Sequence, residues 1–547
     1  GVEKRTAPTD NGRALGRFVA IRPIFTYLYL PPTIRSTMQN DAAKAGTSTP
    51  AAFSPQPSNN SVFYVAVVGG GIAGSCVASV LSQKAAPEIE PWTKKVRRRA
   101  GGSGDIAVRV DLFDQGRSGV GGRSSHRVRK GDEGRSMRWD HGCQFFRADT
   151  DKLQAVVSDW IRHGIVEEWT GNFTSDGGAS SSNDFFGFPF MPPFYVGSDG
   201  MQNISRRILE ICSEVNNDCQ LEEEQRCKSS ENSLNVYTGT RVSNVKQDSY
   251  TKKWHLYGTS GEAAYHDTPE RIARSQDGEL KLGRNSILDQ GYDAVVFTDV
   301  SSSFGKWHRA SAGIPEEFAA RVRERVGSRV PLFTAMIAFD EALAVSFDAI
   351  SFQEDDVLWF ASKSNSKPGI SKNDDSKECW TLVSTPEYAM KKILETPMQD
   401  PNGEFIPQSE EYLTTVPGPE LEAAFRNVVR NNTCGGLRLS TVPGEFSIPK
   451  TVYLDAQRWG SALPSGVRSK EESKTRKVIS GVSYDSGRTP LAPTKLQSPE
   501  EDNFISDKNL MLFQVGDMMS RYTPGFEGSV ISAIDGAEHL LDTFSEF

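Results

Sequence analysis

The stretch VFYVAVVGGGIAGSCVASVL, residues 62–81, decides the fold of this chain. Val62–Val68 is an unbroken apolar run of residues that favour β-strands, as expected for a strand buried on both faces of a parallel sheet. Three glycines follow directly, and apolar residues then recur at helical spacing as far as Leu81. The stretch therefore predicts a strand, a tight glycine turn and a helix.

The glycines Gly69, Gly71 and Gly74 have the spacing GxGxxG, in which each glycine has a mechanical role. The first permits a tight turn, the second lets the backbone approach a pyrophosphate, and the third lets the helix pack closely on the strand. The first helical turn, at Ile72 and Ala73, then offers free N–H groups and the positive end of the helix dipole to phosphates. With the flanking strand and helix, this spacing indicates a dinucleotide-binding site.

A second predicted strand, Ile106–Phe113, ends at Asp114. An acidic residue at this position binds a ribose hydroxyl in dinucleotide sites, usually about 20 residues after the glycines. Here the gap is roughly twice that length, because a basic loop at 87–105 intervenes. The loop could be a nucleic-acid patch, but a solvated surface loop is favoured. Asp111 is an alternative acidic residue, but it lies within the strand rather than at its tip.

The residues after Asp114 distinguish FAD from NAD. Arg117–Arg123, RSGVGGR, is a second glycine-rich turn that directly follows the acidic strand end. At this point the sequence resembles the FAD-dependent amine oxidase superfamily, in which such a turn wraps the flavin diphosphate. The resemblance implies that Gly121 and Gly122 approach the cofactor. It also implies that Arg123 faces the phosphates or the ribityl oxygens, with an ordinary surface arginine as the alternative.

A third segment comes near the end of the chain, where a predicted strand at 510–515 is followed by Gly-Asp, RYTPGFEGS (521–529) and a helix with apolar periodicity over 530–541. In the superfamily, the aspartate of such a pair binds the ribityl chain, and the helix points its N-terminus at the flavin pyrimidine edge. A helix N-terminus stabilises the negative charge of reduced flavin. Packing of the domain is a second, compatible role. The resemblance assigns these residues to the flavin: Gly516, Asp517, Gly528, Ser529 and Val530. It also assigns backbone contact with the adenine to Val242.

Three segments are similar to the renalase-like branch of this superfamily: GVGGR at 119–123, WDHGCQFF at 139–146 and RWGSALP at 458–464. The similarity is strong over 62–146 and 509–541 and patchy between them. It implies an α/β protein in which a Rossmann-type, glutathione-reductase-like FAD-binding domain is interleaved with an α+β substrate domain.

The chain is too long for one hydrophobic core, so two domains are expected. The predicted ranges are 61–150, 201–300 and 505–547 for the FAD-binding domain, 151–200 and 301–464 for the substrate domain, and 465–504 for a polar insertion. Residues 1–60 are expected to be a disordered leader or a transit peptide. Polar insertions at the surface are expected at 174–184, 265–290, 363–378, 395–411 and 469–501. Further strands are predicted at 242–248, 254–258, 294–298 and 332–338.

The resemblance implies an oxidoreductase with noncovalent FAD, which takes a hydride from an amine or a dihydropyridine-type, reduced-nicotinamide-like substrate to flavin N5. Oxygen or another acceptor would reoxidise the flavin. Covalent attachment is not expected, because no cysteine follows Cys434 and this residue lies in a polar loop. Two alternatives stay open: an enzyme similar to desaturases or protoporphyrinogen oxidase, and a flavin-binding protein with little catalysis.

No nucleophile elbow or acid–base set is found, and flavin chemistry does not require one. The candidates for a substrate pocket are Gln144, Phe146, Trp459 and Tyr522, whose aromatic members could stack on a planar substrate. His141 could contact the flavin or the substrate. For all of them, ordinary packing or turn hydrogen bonding is the alternative, and the catalytic residues are not identified.

A small-molecule substrate, which the resemblance implies, is the expected partner. A formal net charge of −8 argues against broad nucleic-acid binding. The seven cysteines contain no CxxC pair and histidines do not cluster, so no metal site or redox dithiol is expected. Residues 18–30 are apolar but short and interrupted by Arg22 and Pro23, so no integral membrane segment is expected. We expect a soluble intracellular protein, in the cytoplasm or a plastid, of unknown oligomeric state.

Overall fold

The structure of the protein is a computed structural model. It describes residues 62–82, 107–116, 119–130, 136–175, 185–187, 192–214, 234–260, 280–283, 290–303, 313–370, 377–397, 406, 408–431, 433–434, 437–438, 447–465, 476–479, 482–486, 503–520 and 525–546. The predicted leader at 1–60, the basic loop at 87–105 and the pocket candidate Tyr522 lie outside these ranges.

The helices and strands alternate along the chain in a mixed α/β pattern. The helices of the described residues are α1 (Ile72–Ser82), α2 (Asp151–Arg162), α3 (Met201–Glu214), α4 (Glu316–Val326), α5 (Pro386–Glu395), α6 (Glu410–Thr415), α7 (Pro417–Asn431) and α8 (Phe526–Phe544). The strands are β1 (Val62–Val68), β2 (Ala107–Phe113), β3 (His126–Lys130), β4 (Ser136–Asp140), β5 (Val166–Glu168), β6 (Phe173–Ser175), β7 (Tyr195–Gly197), β8 (Leu234–Tyr237), β9 (Thr240–Gln247), β10 (Trp254–Ser260), β11 (Leu280–Lys281), β12 (Ala294–Phe297), β13 (Arg329–Phe339), β14 (Ala349–Ser351), β15 (Leu358–Lys363), β16 (Glu378–Ser384), β17 (Thr433–Cys434), β18 (Leu437–Arg438), β19 (Thr451–Pro464), β20 (Arg476–Ile479), β21 (Val482–Asp485), β22 (Ile505–Asp507) and β23 (Leu512–Gln514).

A six-stranded sheet has the order β22–β23–β12–β1–β2–β8, and all neighbours are parallel except β22 with β23. The predicted β1–turn–α1 unit is confirmed, and every residue of α1 is buried. In the sheet, β2, the next strand along the chain, lies on one side of β1, and β12 lies on the other side of β1. Strands on both sides of β1 open a crevice at its carboxyl end, where ligands of such sheets bind.

Helices and a small sheet cover the two faces of this parallel sheet. α8 and α3 both pack on α1. The antiparallel strands β9, β10 and β11 form a separate three-stranded sheet. Trp254 of β10 and Tyr292, which forms an isolated bridge with it, lie in one hydrophobic cluster with Phe113 of β2. The predicted strands in this region are confirmed, with their ends shifted by a few residues.

An eight-stranded, mostly antiparallel sheet has the order β20–β21–β13–β16–β15–β14–β6, with β19 paired to β13 as well. Every residue of β13 and β16 is buried. α7 packs on both of these strands, and α5 packs on β13. This sheet is therefore the centre of a second hydrophobic core.

The structure corrects one expectation about the polar insertion. Residues 476–479 and 482–485, predicted as part of a surface insertion at 465–504, form β20 and β21 at the edge of the eight-stranded sheet. Val482 and Tyr484 are 3% and 1% exposed and pack against Met390 and Ile393. The polar composition of the surrounding stretch concealed these two short strands.

The insertion expected at 363–378 also differs from the prediction. It begins at the end of β15, continues in a short 3₁₀ turn at Ser364–Ser366, and leads to Lys367, which is 1% exposed.

Of the part of the chain that the structure describes, no helix has the length and hydropathy needed to cross a membrane. In that same part, His, Cys, Asp and Glu side chains form no cluster suited to hold a metal ion.

Candidate functional site

The first glycine turn leaves no room for a side chain at Gly69 or Gly74. Gly69 has φ +104°, and a Cβ there would overlap the hydroxyl oxygen of Thr298, the residue after β12. A Cβ at Gly74 would overlap the carbonyl oxygen of Gly69. Gly69 N donates to Phe113 O at 2.8 Å, which fixes the turn to the end of β2. The roles predicted for the first and third glycines, a tight turn and close helix packing, therefore agree with these contacts.

The second glycine turn lies directly on the first, main chain against main chain. Gly121 N donates to Gly70 O at 2.9 Å, and Gly71 forms a parallel bridge with Gly121. Gly121 and Gly122 have φ +139° and +53°, and a Cβ at Gly122 would lie 3.3 Å from Gly71 Cα. Both turns thus face the crevice at the carboxyl end of β1 through backbone atoms.

Asp114 lies at the tip of β2 and is 7% exposed. Its two carboxylate oxygens accept hydrogen bonds from Gly70 N and Gly116 N, both at 2.7 Å. Burial raises the pKa of Asp114, although these two amides oppose that shift. Asp111 instead accepts a hydrogen bond at 2.6 Å from Tyr292 Oη on the far side of the sheet. Asp114 is therefore the acidic residue at the crevice, and its role toward a ribose stays a prediction.

The C-terminal segment reaches the same crevice. Gly516 has φ +123°, and a Cβ there would lie 3.3 Å from the carbonyl oxygen of Thr298. The hydroxyl oxygen of the same Thr298 adjoins Gly69. The Asp517 carboxylate accepts two hydrogen bonds from the Arg123 guanidinium, at 2.6 and 2.5 Å. The structure thus brings together three of the segments that the sequence assigned to one cofactor.

Arg123 stands where the second glycine turn, the C-terminal segment and β19 meet. Besides Asp517, its guanidinium donates to Ala462 O at 2.9 Å. Burial lowers the pKa of Arg123, but the adjacent Asp517 carboxylate outweighs this and the net pKa is raised. The side chain of Arg123 is 37% exposed and that of Asp517 only 3%. The paired contact with a buried carboxylate is what distinguishes Arg123 from an ordinary surface arginine, and its role toward the cofactor stays a prediction.

Within the described part of the chain, no side chain caps the N-terminus of α8. Gly525 precedes it with φ +86°, and a Cβ there would meet no atom within 4 Å. The nearby Glu527 carboxylate turns away to the start of α2, where it accepts hydrogen bonds from Thr150 N at 2.9 Å and Thr150 Oγ1 at 2.7 Å. The positive end of the α8 dipole is therefore not neutralised by a capping side chain.

The flavin residues predicted on α8 differ in what they can offer. Gly528 belongs to the first helical turn, whose N–H groups have no partner within a helix. Ser529 N already donates to Gly525 O at 3.0 Å, and Ser529 and Val530 are 6% and 0% exposed. Val242 on β9 is likewise 5% exposed and packs in the core of the small sheet. Only main-chain contacts are available from Val242.

Two predicted pocket residues lie in the protein interior. Gln144 is 2% exposed, its amide nitrogen donates to Asp140 O at 2.5 Å, and its oxygen accepts from Ser362 Oγ at 2.8 Å. Phe146 is 1% exposed and stacks on Phe526, with ring centres 4.0 Å apart. These positions match the alternative of structural packing.

The pocket candidate Trp459 stacks on His141, which was predicted as a possible contact of the flavin or the substrate. The rings of His141 and Trp459 are 5.3 Å apart with an interplanar angle of 16°, and Trp459 Nε1 donates to His141 O at 2.9 Å. Burial, assisted by the Arg127 charge, lowers the pKa of His141 to about 3, so the imidazole is neutral at pH 7. Its Nδ1 atom is buried without a hydrogen-bond partner. Trp459, by contrast, is only half-buried.

Sequence reasoning missed Thr298 and Lys367. Thr298 follows a buried strand directly, so its position at the carboxyl end of the sheet was a usable signal. Lys367 lies in a polar stretch, and nothing local indicates that its Nζ atom contacts the Asp140 carboxylate at 2.9 Å.

No protein-family model and no curated protein matches the chain. Among solved structures, it is similar to a putrescine oxidase double mutant with redesigned cofactor binding, at 11% identity over 89% of this chain and 99% of that one, with a TM-score of 0.43. It is also similar to an oxidoreductase from Methanosarcina mazei (10% identity, 88% and 100% covered, TM-score 0.41). A third is cyclohexylamine oxidase from Brevibacterium oxydans (11% identity, 88% and 99% covered, TM-score 0.41). Similarity at these identities and TM-scores does not decide the cofactor or the activity of this chain.

Proposed function

We propose that the protein is an FAD-dependent oxidoreductase that oxidises a small amine or a dihydropyridine-type substrate. One observation carries this proposal. Two glycine turns in main-chain contact and the Arg123–Asp517 pair meet at the carboxyl end of β1, although they come from distant parts of the chain. A dinucleotide whose two halves extend to either side of a central strand requires such a convergence.

The residues present fit FAD in shape and in charge. Gly69 and Gly122 have positive φ and are not buried, so their main-chain atoms can approach a diphosphate at the crevice. Arg123 supplies charge-assisted donors for the phosphates or the ribityl oxygens. Asp517 supplies acceptors for ribityl hydroxyls, and Asp114 supplies them for the ribose.

When bound, FAD supplies an acceptor for a hydride from a carbon next to nitrogen and passes the electrons to oxygen or another acceptor. The chain contributes binding and orientation. The uncapped N-terminus of α8 favours negative charge nearby. Trp459 offers an aromatic ring for a planar substrate, and its stacking on neutral His141 keeps that ring in place.

Noncovalent binding is the form we propose. Cys143 is the cysteine closest in sequence to the site motifs, and burial raises its pKa to about 12. A protonated thiol is a poor nucleophile, so it does not favour attachment to the flavin. After acid precipitation, the yellow colour should stay in the supernatant; colour in the pellet would contradict this.

The finer proposal is a renalase-like enzyme, supported by the sequence motifs at 119–123, 139–146 and 458–464. Its FAD-binding domain would comprise 61–150, 201–300 and 505–547. Its substrate domain would comprise 151–200 and 301–464, and we add β20 and β21 because they join the same sheet.

The test is FAD binding followed by anaerobic titration with reduced nicotinamides, related dihydropyridines and amines. We expect a one-to-one FAD complex whose flavin absorbance is bleached by at least one compound. Failure to bind FAD would overturn the proposal. Binding without bleaching would favour a flavin protein with little catalysis, and bleaching only by porphyrinogen- or polyene-type substrates would favour the desaturase-like alternative.

A variant of Arg123 tests the site itself. Arg123→Met should raise the FAD dissociation constant at least about tenfold, because bidentate, charge-assisted hydrogen bonds are lost. Arg123→Lys should be intermediate, since it keeps the charge without the planar geometry. Arg127→Met is the matched control, because Arg127 pairs with Asp455 at 3.1 Å outside the crevice. Equal FAD affinity in Arg123→Met and Arg127→Met would exclude the assigned role.

A further inference from the structure

Lys367 and Asp140 form an ion pair in the protein interior. Lys367 Nζ lies 2.9 Å from Asp140 Oδ2, and the two side chains are 1% and 0% exposed. Lys367 Nζ also donates to Gln144 Oε1 at 3.4 Å and lies 5.3 Å from the centre of the Trp169 ring. Burying two charges is costly, so such a pair adds little to stability compared with apolar packing.

The Asp140 carboxylate joins this pair to a helix N-terminus. Its second oxygen, Oδ1, accepts a hydrogen bond at 2.9 Å from Met201 N, the first residue of α3. Because the first N–H groups of a helix have no partner within the helix, a carboxylate there is favoured twice, by the hydrogen bond and by the dipole. Lys367 thus holds the carboxylate in a position that also anchors α3.

Asp140 begins the junction segment, residues 140–144, which the eight-stranded sheet holds through several side chains. Asp140 O accepts from Thr381 Oγ1 of β16 at 3.1 Å. His141 O accepts from Thr334 Oγ1 of β13 at 2.9 Å and from Trp459 Nε1 of β19 at 2.9 Å. The junction segment is therefore fixed to three strands of that sheet.

The other side of the junction segment touches the second glycine turn. Cys143 N donates to Arg123 O at 2.8 Å. Gly142 lies so close that a Cβ there would overlap the same carbonyl oxygen and come within 3.3 Å of the Trp459 ring. The main chain of Arg123 thus rests on a segment whose first residue is held by Lys367.

We propose that Lys367 is a positioning residue for the crevice: through Asp140 and the junction segment it fixes the glycine turn that carries Arg123. The role in cofactor binding rests on the proposed function, whereas the role in ordering the turn does not. In the part of the chain that the structure describes, the Nζ atom of Lys367 contacts Asp140, Gln144 and Trp169, none of which belongs to a glycine turn. Without its Nζ atom, the Asp140 carboxylate would be buried with no counter-charge, so the junction segment would shift or admit water.

The test compares Lys367→Met with Lys392→Met. Lys392 is the matched control, because its side chain is 8% exposed and contacts the Glu420 carboxylate at 2.9 Å, between α5 and α7 and away from the crevice. Hydrogen exchange of the amides at 119–125 is measured in the FAD-free proteins, and the FAD dissociation constant and the visible flavin spectrum are measured in the complexes.

In Lys367→Met, we expect at least tenfold faster exchange at 121, 124 and 125, whose amides are hydrogen-bonded in the turn. We also expect a tenfold higher FAD dissociation constant and a flavin spectrum closer to that of free FAD. Lys392→Met should match the wild type in all three, even if both variants melt at lower temperature. The proposal would be overturned if both variants showed the same changes in exchange, FAD affinity and spectrum, in proportion to their loss of melting temperature.

A milder variant keeps the test valid if Lys367→Met does not fold. Thr381→Val removes only the hydroxyl that donates to Asp140 O, and should speed exchange at 119–125 about threefold. Unchanged exchange in this variant would also count against the proposal. If the wild type binds no FAD but Lys367→Met still loosens the turn, the proposed function fails and the positioning role stands.

Discussion

The crevice of the parallel sheet and the core of the eight-stranded sheet are held together in opposite ways. At the crevice, main chain packs on main chain, and added Cβ atoms at Gly69, Gly74 and Gly142 would overlap oxygen atoms. In the second core, large side chains fill the space, as in the contact of Trp380 with Phe347 and Phe425. The first region is therefore sensitive to atoms that are added, and the second to atoms that are removed.

The largest effect is expected from adding one methyl group at the crevice. In Gly74→Ala, the new Cβ would overlap Gly69 O, a main-chain atom that cannot rotate away, so α1 would have to leave β1. We expect a loss above about 5 kcal/mol, the range reached by exceptional substitutions only. Gly164→Ala is the control: Gly164 has φ +63° and open space, so only the backbone penalty of about 1 kcal/mol applies. The free energy of unfolding of both variants is measured in urea. Equal losses in the two variants would contradict the proposed sensitivity of the crevice to added atoms.

The second-largest loss of stability is expected from removing atoms from the second core. Trp380 is fully buried, and Trp380→Ala should cost about 3–5 kcal/mol because it leaves a large cavity. It also leaves Glu378 Oε1 without the indole donor at 2.8 Å. The FAD affinity of the protein that remains folded should be unchanged, because Trp380 lies away from the crevice. A large loss of affinity would show that the two regions are not separable in this way.

The smallest effect is expected where the two regions meet, at His141. Its pKa is about 3 in the folded protein and 6.5 in the unfolded chain, so the folded state binds fewer protons between these values. Stability is therefore lost as the pH falls below 6.5. At pH 5 the loss is about 2 kcal/mol, since one pKa unit corresponds to about 1.4 kcal/mol.

His141→Phe should remove this dependence while keeping a ring against Trp459. The unfolding free energy of the variant, measured from pH 7 to pH 5, should fall less steeply than that of the wild type. A residual slope from His126, whose pKa burial also lowers, should persist. If His141→Phe has the wild-type slope, the imidazole is not buried in its neutral form.

What could be predicted from the sequence also differs between locally encoded segments and contacts between distant residues. The glycine turns, β1, α1 and the strand before Gly516 were predictable, because local spacing and apolar runs encode them. Lys367 was not predictable, because its burial depends on Asp140, which is more than two hundred positions away in the chain. Gln144 and Phe146 were predicted as pocket residues because of their motif, and the motif alone did not indicate that both side chains are buried; their role at a pocket stays a prediction.

The strand order of the parallel sheet has a consequence for synthesis on the ribosome. Val65 of β1 pairs with Ala294 of β12, and Val295 of β12 pairs with Leu512 of β23. A nascent chain therefore carries unpaired, apolar strand edges until nearly all of these residues have emerged. Pairing between strands so far apart in the sequence is slow, and unpaired strand edges are prone to aggregation before pairing is complete. The strand edges of β1 and β12 are therefore open to pairing with other chains until the last strand, β23, has been synthesised.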